Sequence, residues 1–302
     1  MDNVKPNFFI VGAPKCGTSA MNDYLSRHPD IFMAKKEVHY FGSDLQTRSR
    51  PTATQYLDLF RGGESKKIVG EASVWYLFSK SAAKEIMDFS PGAKILAMLR
   101  NPVDVVHALH SQHLFDANED VADFEAALAL EQARKLGQSL PRSRDYFSLP
   151  SYIDSVRFAE QLERYFSAFG RECVEVMIYD DFKKAPSEAV ARALSFLGLS
   201  PMSSPDYEEI NVNKRVQSQA LHRALKNPAP ALRRIARTLL PSRAIRHWLM
   251  SSVDRINVTP GPRRSMRAET RAALLATLTP EIQKLELLLG RDLSGWYIPK
   301  KP

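Results

Sequence analysis

The stretch from residue 8 to residue 25, FFIVGAPKCGTSAMNDYL, constrains the fold more than any other part of the sequence. Its first residues, Phe8 to Val11, form a short apolar run that predicts a buried parallel strand. Two glycines then bracket a tight turn, and a helix is predicted over residues 18–28. A strand, a glycine turn and a helix aim backbone N–H groups and the positive end of the helix dipole at one anion. The sequence therefore predicts an anion site at the end of a strand.

Strand candidates alternate with predicted helices along the rest of the chain. Strands are predicted over residues 67–73, 93–100 and 173–182, and a helix over residues 187–199. A last helix is predicted over residues 266–289, with Pro280 marking a break. This alternation predicts an α/β fold, in which a central parallel sheet is flanked by helices in a P-loop-like arrangement of three layers.

Length and composition limit the domain organisation and the compartment. With 302 residues and 44% hydrophobic content, the chain can bury a large core. We expect one domain over residues 1–302, with a basic helical insert or lid at about residues 216–262. Two cysteines give neither a disulfide framework nor a metal-binding quartet, which favours a reducing compartment. Since no N-terminal basic-then-apolar pattern is seen, we expect the protein to be cytoplasmic.

The positive charge of the chain is concentrated in one segment. Residues 211–271 contain 14 Lys and Arg but only two acids, a local charge of +12 where the whole chain carries +8. Such asymmetry indicates an anionic partner for one face, although a solvated helical face gives the same pattern. Residues 220–250 interleave arginines with apolar side chains, which is compatible with peripheral membrane contact or with a lid that packs its apolar side on the protein. We expect an acceptor that is partly apolar or glycan-like.

The turn differs from the loop that binds nucleoside triphosphates. In that loop, G-x-x-x-x-G-K-[ST], the lysine contacts the β- and γ-phosphates. Gly12 and Gly17 keep the spacing, but Thr18 follows the second glycine and the only lysine of the turn is Lys15. A strand ending in a metal-binding Asp is also missing, because the candidate strand KILAMLR ends in Arg100. The anion site is retained, whereas magnesium-dependent triphosphate chemistry is not supported.

The variant P-K-x-G-T-[ST] resembles the 5′-phosphosulfate loop of sulfotransferases. Those enzymes use 3′-phosphoadenosine 5′-phosphosulfate (PAPS) and need no metal. The resemblance implies that Lys15 neutralises charge on the oxygen leaving the sulfuryl group. It implies that the 5′-phosphate is held by the backbone N–H groups of Cys16, Gly17, Thr18 and Ser19. The alternatives are a structural turn with a helix cap at Thr18 or Ser19, and for Cys16 a small side chain rather than a nucleophile.

A second family segment follows the strand candidate that ends at residue 99. LRNPVDVVHALHSQ resembles the family pattern R-[DN]-P, here Arg100, Asn101 and Pro102. The planar guanidinium of Arg100 can donate two hydrogen bonds to one phosphate, so the resemblance implies a contact with the 3′-phosphate. The family serine eight residues after the arginine is replaced by Ala108. Ser111 lies three residues further, on the same helical face, and is the candidate substitute.

The segment KKEVHYF, residues 35–41, resembles K-E-x-x-[FY]-F of the glycan-type branch of the family. The resemblance makes Glu37 the first candidate for the general base that removes a proton from the acceptor. His39 is the second candidate, since histidine titrates nearer neutral pH. The alternatives are a loop charge for Glu37 and a packed residue for His39.

Two further matches concern the acceptor and the nucleotide. GEASVWYL resembles G-E-x-[ST]-x-x-Y, which implies that Glu71, Trp75 and Tyr76 face an acceptor cleft, and a core position for the aromatics is as compatible with the sequence. NKRVQSQAL resembles a basic loop whose Lys214 and Arg215 close over the 3′-phosphate. GPRRS, residues 261–265, is the rival for that role.

The resemblance spans nearly the whole chain and implies a member of the glycan and heparan branch, similar to bacterial cytosolic enzymes. We therefore expect a metal-independent sulfotransferase that moves a sulfuryl group from PAPS to a hydroxyl or amine of a small-molecule, lipid or glycan acceptor. The alternative is a P-loop kinase or NTPase. A nucleic-acid-binding protein ranks last, because no binding module is recognisable, and we expect no nucleic-acid partner.

Overall fold

The computed structural model describes residues 4–45, 50–141, 151–202, 214–216, 258–260 and 265–298. Two compact units are distinguished. The first comprises Met1–Val106, Ile153–Asn211 and Arg271–Lys301, and the second comprises His107–Tyr152, Val212–Thr270 and Pro302. That the whole chain acts as one domain stays a prediction. Most of the expected insert at residues 216–262, including residues 220–250, lies outside the described residues.

The first unit is built on a five-stranded parallel sheet with the order β2-β3-β1-β4-β5. The strands are β1 Phe8–Gly12, β2 Ile31–Met33, β3 Ile68–Ala72, β4 Lys94–Leu99 and β5 Val174–Ile178. Every residue of β1 and β3 is buried, as expected of parallel strands that are covered on both faces. The predicted α/β class with a central parallel sheet is confirmed.

Helices complete the first unit and connect to the second. The first unit contains α1 Thr18–Ser26, α2 Ala53–Asp58, α3 Ala82–Phe89, α7 Phe158–Phe169, α8 Tyr179–Lys184 and α9 Pro186–Phe196, with 3-10 turns at Asp154–Val156, Arg171–Cys173 and Ser294–Trp296. Helix α4, Pro102–Phe115, begins in it, and helix α10, Ala268–Leu289, ends in it. The second unit contains α5 Phe124–Ala129 and α6 Glu131–Lys135.

One predicted strand boundary and one predicted helix break are wrong, and one strand was not predicted. The strand predicted over residues 173–182 ends at Ile178, because the acidic residues after it start helix α8. Strand β2 was not predicted, since three residues carry too little periodicity. Pro280 does not interrupt α10. Buried apolar residues lie on both sides of it, and this burial outweighs the loss of one backbone hydrogen bond: they are Leu274, Leu278, Ile282 and Leu285.

The second unit has its own buried polar anchor. The guanidinium of Arg134 donates two hydrogen bonds to the Glu119 carboxylate, at 2.6 and 2.8 Å, and the Tyr152 hydroxyl donates a third at 2.8 Å. Burial would raise the pKa of Glu119, but Arg134 and the other donors outweigh it and lower the pKa to about 2. In the same unit, β6 Lys214–Val216 pairs antiparallel with β7 Val258–Pro260.

Candidate active site

The chain segments that follow the five parallel strands all begin at one edge of the sheet. The glycine turn follows β1, the segment with Glu37 follows β2, and Ser73 follows β3. Arg100 follows β4, and Tyr179 follows β5. Because β1 lies between β3 and β4, where the order of strand addition reverses, its carboxyl end is where open α/β sheets bind ligands.

The glycine turn is packed too tightly for larger residues at both glycines. Gly17 has a φ of 89°, and a Cβ added there would lie 2.9 Å from Cδ2 of Tyr179. A Cβ on Gly12 would lie 2.7 Å from both the Leu77 Cβ and the Val74 carbonyl oxygen. The strand–turn–helix geometry predicted from the sequence therefore has a steric cause at each glycine.

The amino end of helix α1 is not closed by the hydroxyl caps that the sequence allowed. Gly17 occupies the N-cap position, and the described residues provide no side-chain cap. The hydroxyls of Thr18 and Ser19 instead accept hydrogen bonds from Nζ of Lys36, at 3.2 and 2.9 Å. Backbone N–H groups at this helix end are left for an anion.

Lys36 is the clearest residue that the sequence analysis missed. Besides its bonds to the turn, its Nζ lies 3.5 Å from Oε1 of Glu37. Burial lowers the pKa of Lys36, and the neighbouring carboxylate opposes that effect. The two lysines that begin KKEVHYF were the signal in the sequence. Which of them reaches the glycine turn becomes clear only from the contact with that turn, which follows a different strand.

Glu37 is held in one orientation by contacts from two sides. Its backbone N–H donates to the Ala72 carbonyl at 2.8 Å, and its Oε2 accepts from the Val74 N–H at 3.3 Å. Oε2 also lies 3.2 Å from Nε2 of His39. Burial would raise the pKa of Glu37, but the His39 hydrogen bond and the charge of Lys36 outweigh it and lower the pKa below its usual value. The carboxylate is thus ionised at neutral pH.

A cavity of about 300 Å³ lies beside this carboxylate. It is lined by residues 35–38, Pro51, Gln55 and Leu59. Glu37 keeps 34% of its side chain exposed, so a molecule in the cavity can reach it.

Arg100 occupies the position predicted for the second anchor. Its guanidinium lies 4.8 Å from the ring centre of Tyr179 and 3.7 Å from Oδ2 of Asp104. Among the described residues, no partner accepts a hydrogen bond from its buried Nε. Asn101 fixes the start of helix α4, since its Oδ1 accepts from the Val103 N–H at 3.0 Å.

Cys16 has the character of a buried small residue. Its Sγ donates to the Pro14 carbonyl at 3.4 Å. Burial raises the pKa of the thiol to about 12, although the charges of Arg100 and Lys15 act in the opposite direction. The thiol is therefore protonated, and Cys16 can contribute its backbone N–H but not a thiolate.

The remaining sequence-predicted contacts lie in the second unit. Ala108 is fully buried, and the Ser111 hydroxyl donates to the His107 carbonyl at 3.2 Å. Lys214 and Arg215 begin strand β6, whose side chains are outside the described part of the structure, as are residues 261–264. Contacts of Ser111, Lys214 and Arg215 with a nucleotide stay predictions.

Glu71 does not face a cleft, contrary to the expectation from its segment. Glu71 and Tyr76 are fully buried and Trp75 is nearly so, which corresponds to the core alternative. The carboxylate accepts hydrogen bonds from three hydroxyls. Burial nevertheless dominates and raises the pKa of Glu71 to about 6, from an ordinary value of 4.5.

The raised pKa predicts a pH-dependent stability. Folded protein keeps the proton on Glu71 to a higher pH than the unfolded chain does. Its contribution is therefore complete below pH 4.5 and is lost as pH rises through 6. The free energy of unfolding is therefore expected to fall by about 2 kcal/mol as pH rises over this interval, and the Glu71→Gln protein should not show that fall. Urea unfolding of both proteins from pH 4 to pH 7 measures the difference, and parallel pH profiles would contradict the prediction.

The fold and this edge of the sheet define an α/β protein whose glycine turn leads into a helix start without a side-chain cap, an arrangement that suits a phosphate-like anion. Residues 5–228 match the family model described as a sulfotransferase domain. Because the match covers more than half of the chain, the protein belongs to the sulfotransferase domain family. The predicted resemblance and the predicted transferase class are confirmed, and the family implies PAPS as the donor.

Known relatives extend this result. A crystal structure of a sulfotransferase from Alicyclobacillus acidocaldarius is similar with a TM-score of 0.73 and 31% identity, over 98% of this chain and 100% of that one. Carbohydrate sulfotransferase 15 of Homo sapiens is 26% identical over 280 residues, which covers 74% of this chain and 49% of the relative. Membrane-associated sulfotransferase kil1 of Dictyostelium discoideum is 31% identical over 100 residues, or 33% of this chain and 21% of the relative. The matches thus span half or less of these two curated relatives.

Two features are absent from the described residues. No helix there combines the length and the apolar character needed to cross a membrane. No group of three or more His, Cys, Asp or Glu side chains is arranged there to hold a metal ion.

Proposed function

We propose that this chain transfers a sulfuryl group from PAPS to a hydroxyl or amine of a small-molecule, lipid or glycan acceptor. The observation that carries the proposal is the open amino end of α1, where Lys36 donates to the hydroxyls of Thr18 and Ser19 and where the next residue, Glu37, lies beside a cavity. This arrangement supports an anion site next to a carboxylate base. One of the named relatives is a carbohydrate sulfotransferase, which supports the glycan class of acceptor.

The residues present fit the donor. Its 5′-phosphosulfate suits the glycine turn, where Lys15, Lys36 and the backbone N–H groups of residues 16–19 supply positive charge and hydrogen bonds. The buried Nε of Arg100, without a partner among the described residues, suits the 3′-phosphate. Ser111, Lys214 and Arg215 are proposed as further contacts to that phosphate.

When bound, PAPS supplies a sulfuryl group joined to a phosphate that leaves as an anion. Lys15 and the backbone N–H groups of the turn stabilise the negative charge that develops on the leaving oxygen. The helix dipole of α1 acts in the same direction. This is electrostatic preorganisation, and it forms no covalent bond with the protein.

Glu37 accepts the proton of the acceptor, which lies in the adjacent cavity. Its Oε1 faces Lys36 and its Oε2 faces His39, so the carboxylate is already oriented. His39 is the second candidate for the base. The apolar carbon atoms of Val38, Pro51 and Leu59 would pack against the acceptor, with Lys35 at the rim.

We also propose that no divalent metal takes part, since cationic side chains provide the charge that a metal would provide. Free Cys16 and Cys173 support a reducing compartment, and we propose the cytoplasm. Contact of residues 220–250 with an anionic membrane surface stays a proposal that follows from their sequence. We propose no nucleic-acid partner.

Thermal unfolding with 3′,5′-diphosphoadenosine, the product of the donor, tests the proposal. We expect a stabilisation of about 2.7 kcal/mol at a concentration of 100 times Kd, unchanged by EDTA. Arg100→Ala is expected to weaken this stabilisation. The matched control Arg61→Ala, an arginine with a 74% exposed side chain, is expected to keep it. Stabilisation by Mg-ATP alone, abolished by EDTA, would support a P-loop kinase or NTPase instead.

A further inference from the structure

A buried carboxylate lies directly behind the segment that carries Glu37. Glu71 is fully buried in the last part of strand β3. Its Oε1 accepts hydrogen bonds from the hydroxyls of Tyr56 at 2.6 Å and Tyr76 at 3.0 Å, and its Oε2 accepts from Ser73 at 2.9 Å. At neutral pH, above the pKa of about 6 of this group, the ionised carboxylate can only accept hydrogen bonds, so all three hydroxyls donate towards it.

Two of these hydroxyls also accept hydrogen bonds from the backbone that follows Glu37. With their protons directed at Glu71, they present lone pairs on the other side. The Ser73 hydroxyl accepts from the His39 N–H at 3.1 Å. The Tyr76 hydroxyl accepts from the N–H groups of Tyr40 at 2.9 Å and Phe41 at 3.2 Å. One carboxylate thereby fixes three consecutive backbone groups at a distance.

This segment needs such support because its backbone is strained. Glu37 and His39 have φ values of 61° and 51°, in the left-handed region that residues other than glycine rarely adopt. Such a residue persists only where the surroundings determine its conformation. The N–H groups of residues 39–41 donate to Ser73 and Tyr76, and the Arg50 guanidinium donates to the carbonyls of Tyr40 and Phe41.

The third hydroxyl ties the opposite wall of the cavity to the same group. Tyr56 belongs to helix α2, which also carries Gln55, and Leu59 directly follows that helix. Both Gln55 and Leu59 line the cavity beside Glu37. The segment that carries the base and the opposite wall of the cavity are therefore both linked by hydrogen bonds to one carboxylate.

We propose that Glu71 is a positioning residue, which acts through the hydroxyls of Ser73, Tyr76 and Tyr56 to set the Glu37 carboxylate against the acceptor cavity. This inference builds on the proposed function, because it assigns the role of orienting the base. Glu71 touches neither donor nor acceptor. Its effect should therefore be on the rate of the chemical step and not on binding of the nucleotide.

Hydrogen exchange and kinetics of Ser73→Ala and Tyr76→Phe test the inference. We expect faster amide exchange at residue 39 in the first variant and at residues 40–41 in the second. We also expect kcat to fall about 10- to 100-fold while KM for PAPS stays within about 2-fold. The acceptor is whichever of p-nitrophenol, glucosamine and chondroitin the unaltered protein sulfates fastest.

The matched control is Tyr165→Phe. It removes one fully buried hydroxyl and its hydrogen bond to the Tyr76 carbonyl at 2.9 Å, which is not a bond to residues 37–41. Exchange or kcat equal to this control in both test variants would overturn the inference. Absence of turnover in the unaltered protein would overturn the proposed function for these acceptors, and the exchange data would still decide whether the hydroxyls bonded to Glu71 anchor the segment.

Discussion

Replacing Lys15 with alanine is expected to abolish turnover while nucleotide binding remains measurable. Lys15 lies in the turn between Gly12 and Gly17, next to the amino end of helix α1. Charge develops on the leaving oxygen in the transition state, and a lysine aimed at it contributes more there than in the ground state. Loss of one such group typically costs at least about 10²- to 10³-fold in kcat, which would leave turnover at or below the level that a standard assay detects.

The remaining contacts explain why binding survives this substitution. The backbone N–H groups of the turn, Lys36 and Arg100 are unchanged, so 3′,5′-diphosphoadenosine should still bind in calorimetry. Lys84→Ala removes a lysine whose side chain is 79% exposed on helix α3, and it serves as the control for loss of one positive charge. Turnover of the Lys15→Ala protein within a few-fold of the control would exclude Lys15 from the chemistry.

The sequence predicts the local parts of this site because their signals are local. The turn from Gly12 to Ser19 is one continuous segment, and so is Arg100-Asn101-Pro102. Each follows a strand that a run of apolar residues predicts. The parallel sheet follows from the alternation of such units. The sequence therefore predicts correctly those elements whose conformation is determined by residues nearby in the chain.

The parts that depend on tertiary contacts were missed. Lys36 reaches the hydroxyls of Thr18 and Ser19 only because β2 and the turn end at the same edge of the sheet. Tyr179, which follows the outermost strand β5, lies against Gly17, two strands away from β5 in the sheet. Such contacts leave no periodic signal along the chain.

Glu71 illustrates a different limit of sequence reasoning. The resemblance of GEASVWYL to a family segment implies that Glu71 faces a cleft, and burial of an unpaired carboxylate would be costly. The structure meets that cost with three hydroxyl donors from two segments, Tyr56 on one and Ser73 and Tyr76 on the other. Burial of this group became evident only when its partners were located.

Glu37→Gln is expected to lower kcat by about 10²- to 10⁴-fold, the usual contribution of a general base. The amide has nearly the same size as the carboxylate, and its oxygen can still accept the hydrogen bond from the Val74 N–H. It cannot take up a proton from the acceptor. Because neither oxygen of Glu37 is assigned to the donor, the affinity for 3′,5′-diphosphoadenosine should change little. Single-turnover measurements with saturating PAPS report the chemical step directly.

Two comparisons make this assignment decisive. Glu163→Gln, on the exposed face of helix α7, removes a carboxylate remote from the cavity residues in sequence and should leave kcat unchanged. His39→Asn removes the neighbour of Oε2 and should reduce kcat less than Glu37→Gln does, because it disturbs the orientation of the base and leaves the base itself. If His39→Asn were the more damaging change, the proton would pass to the imidazole, and Glu37 would be the residue that orients it.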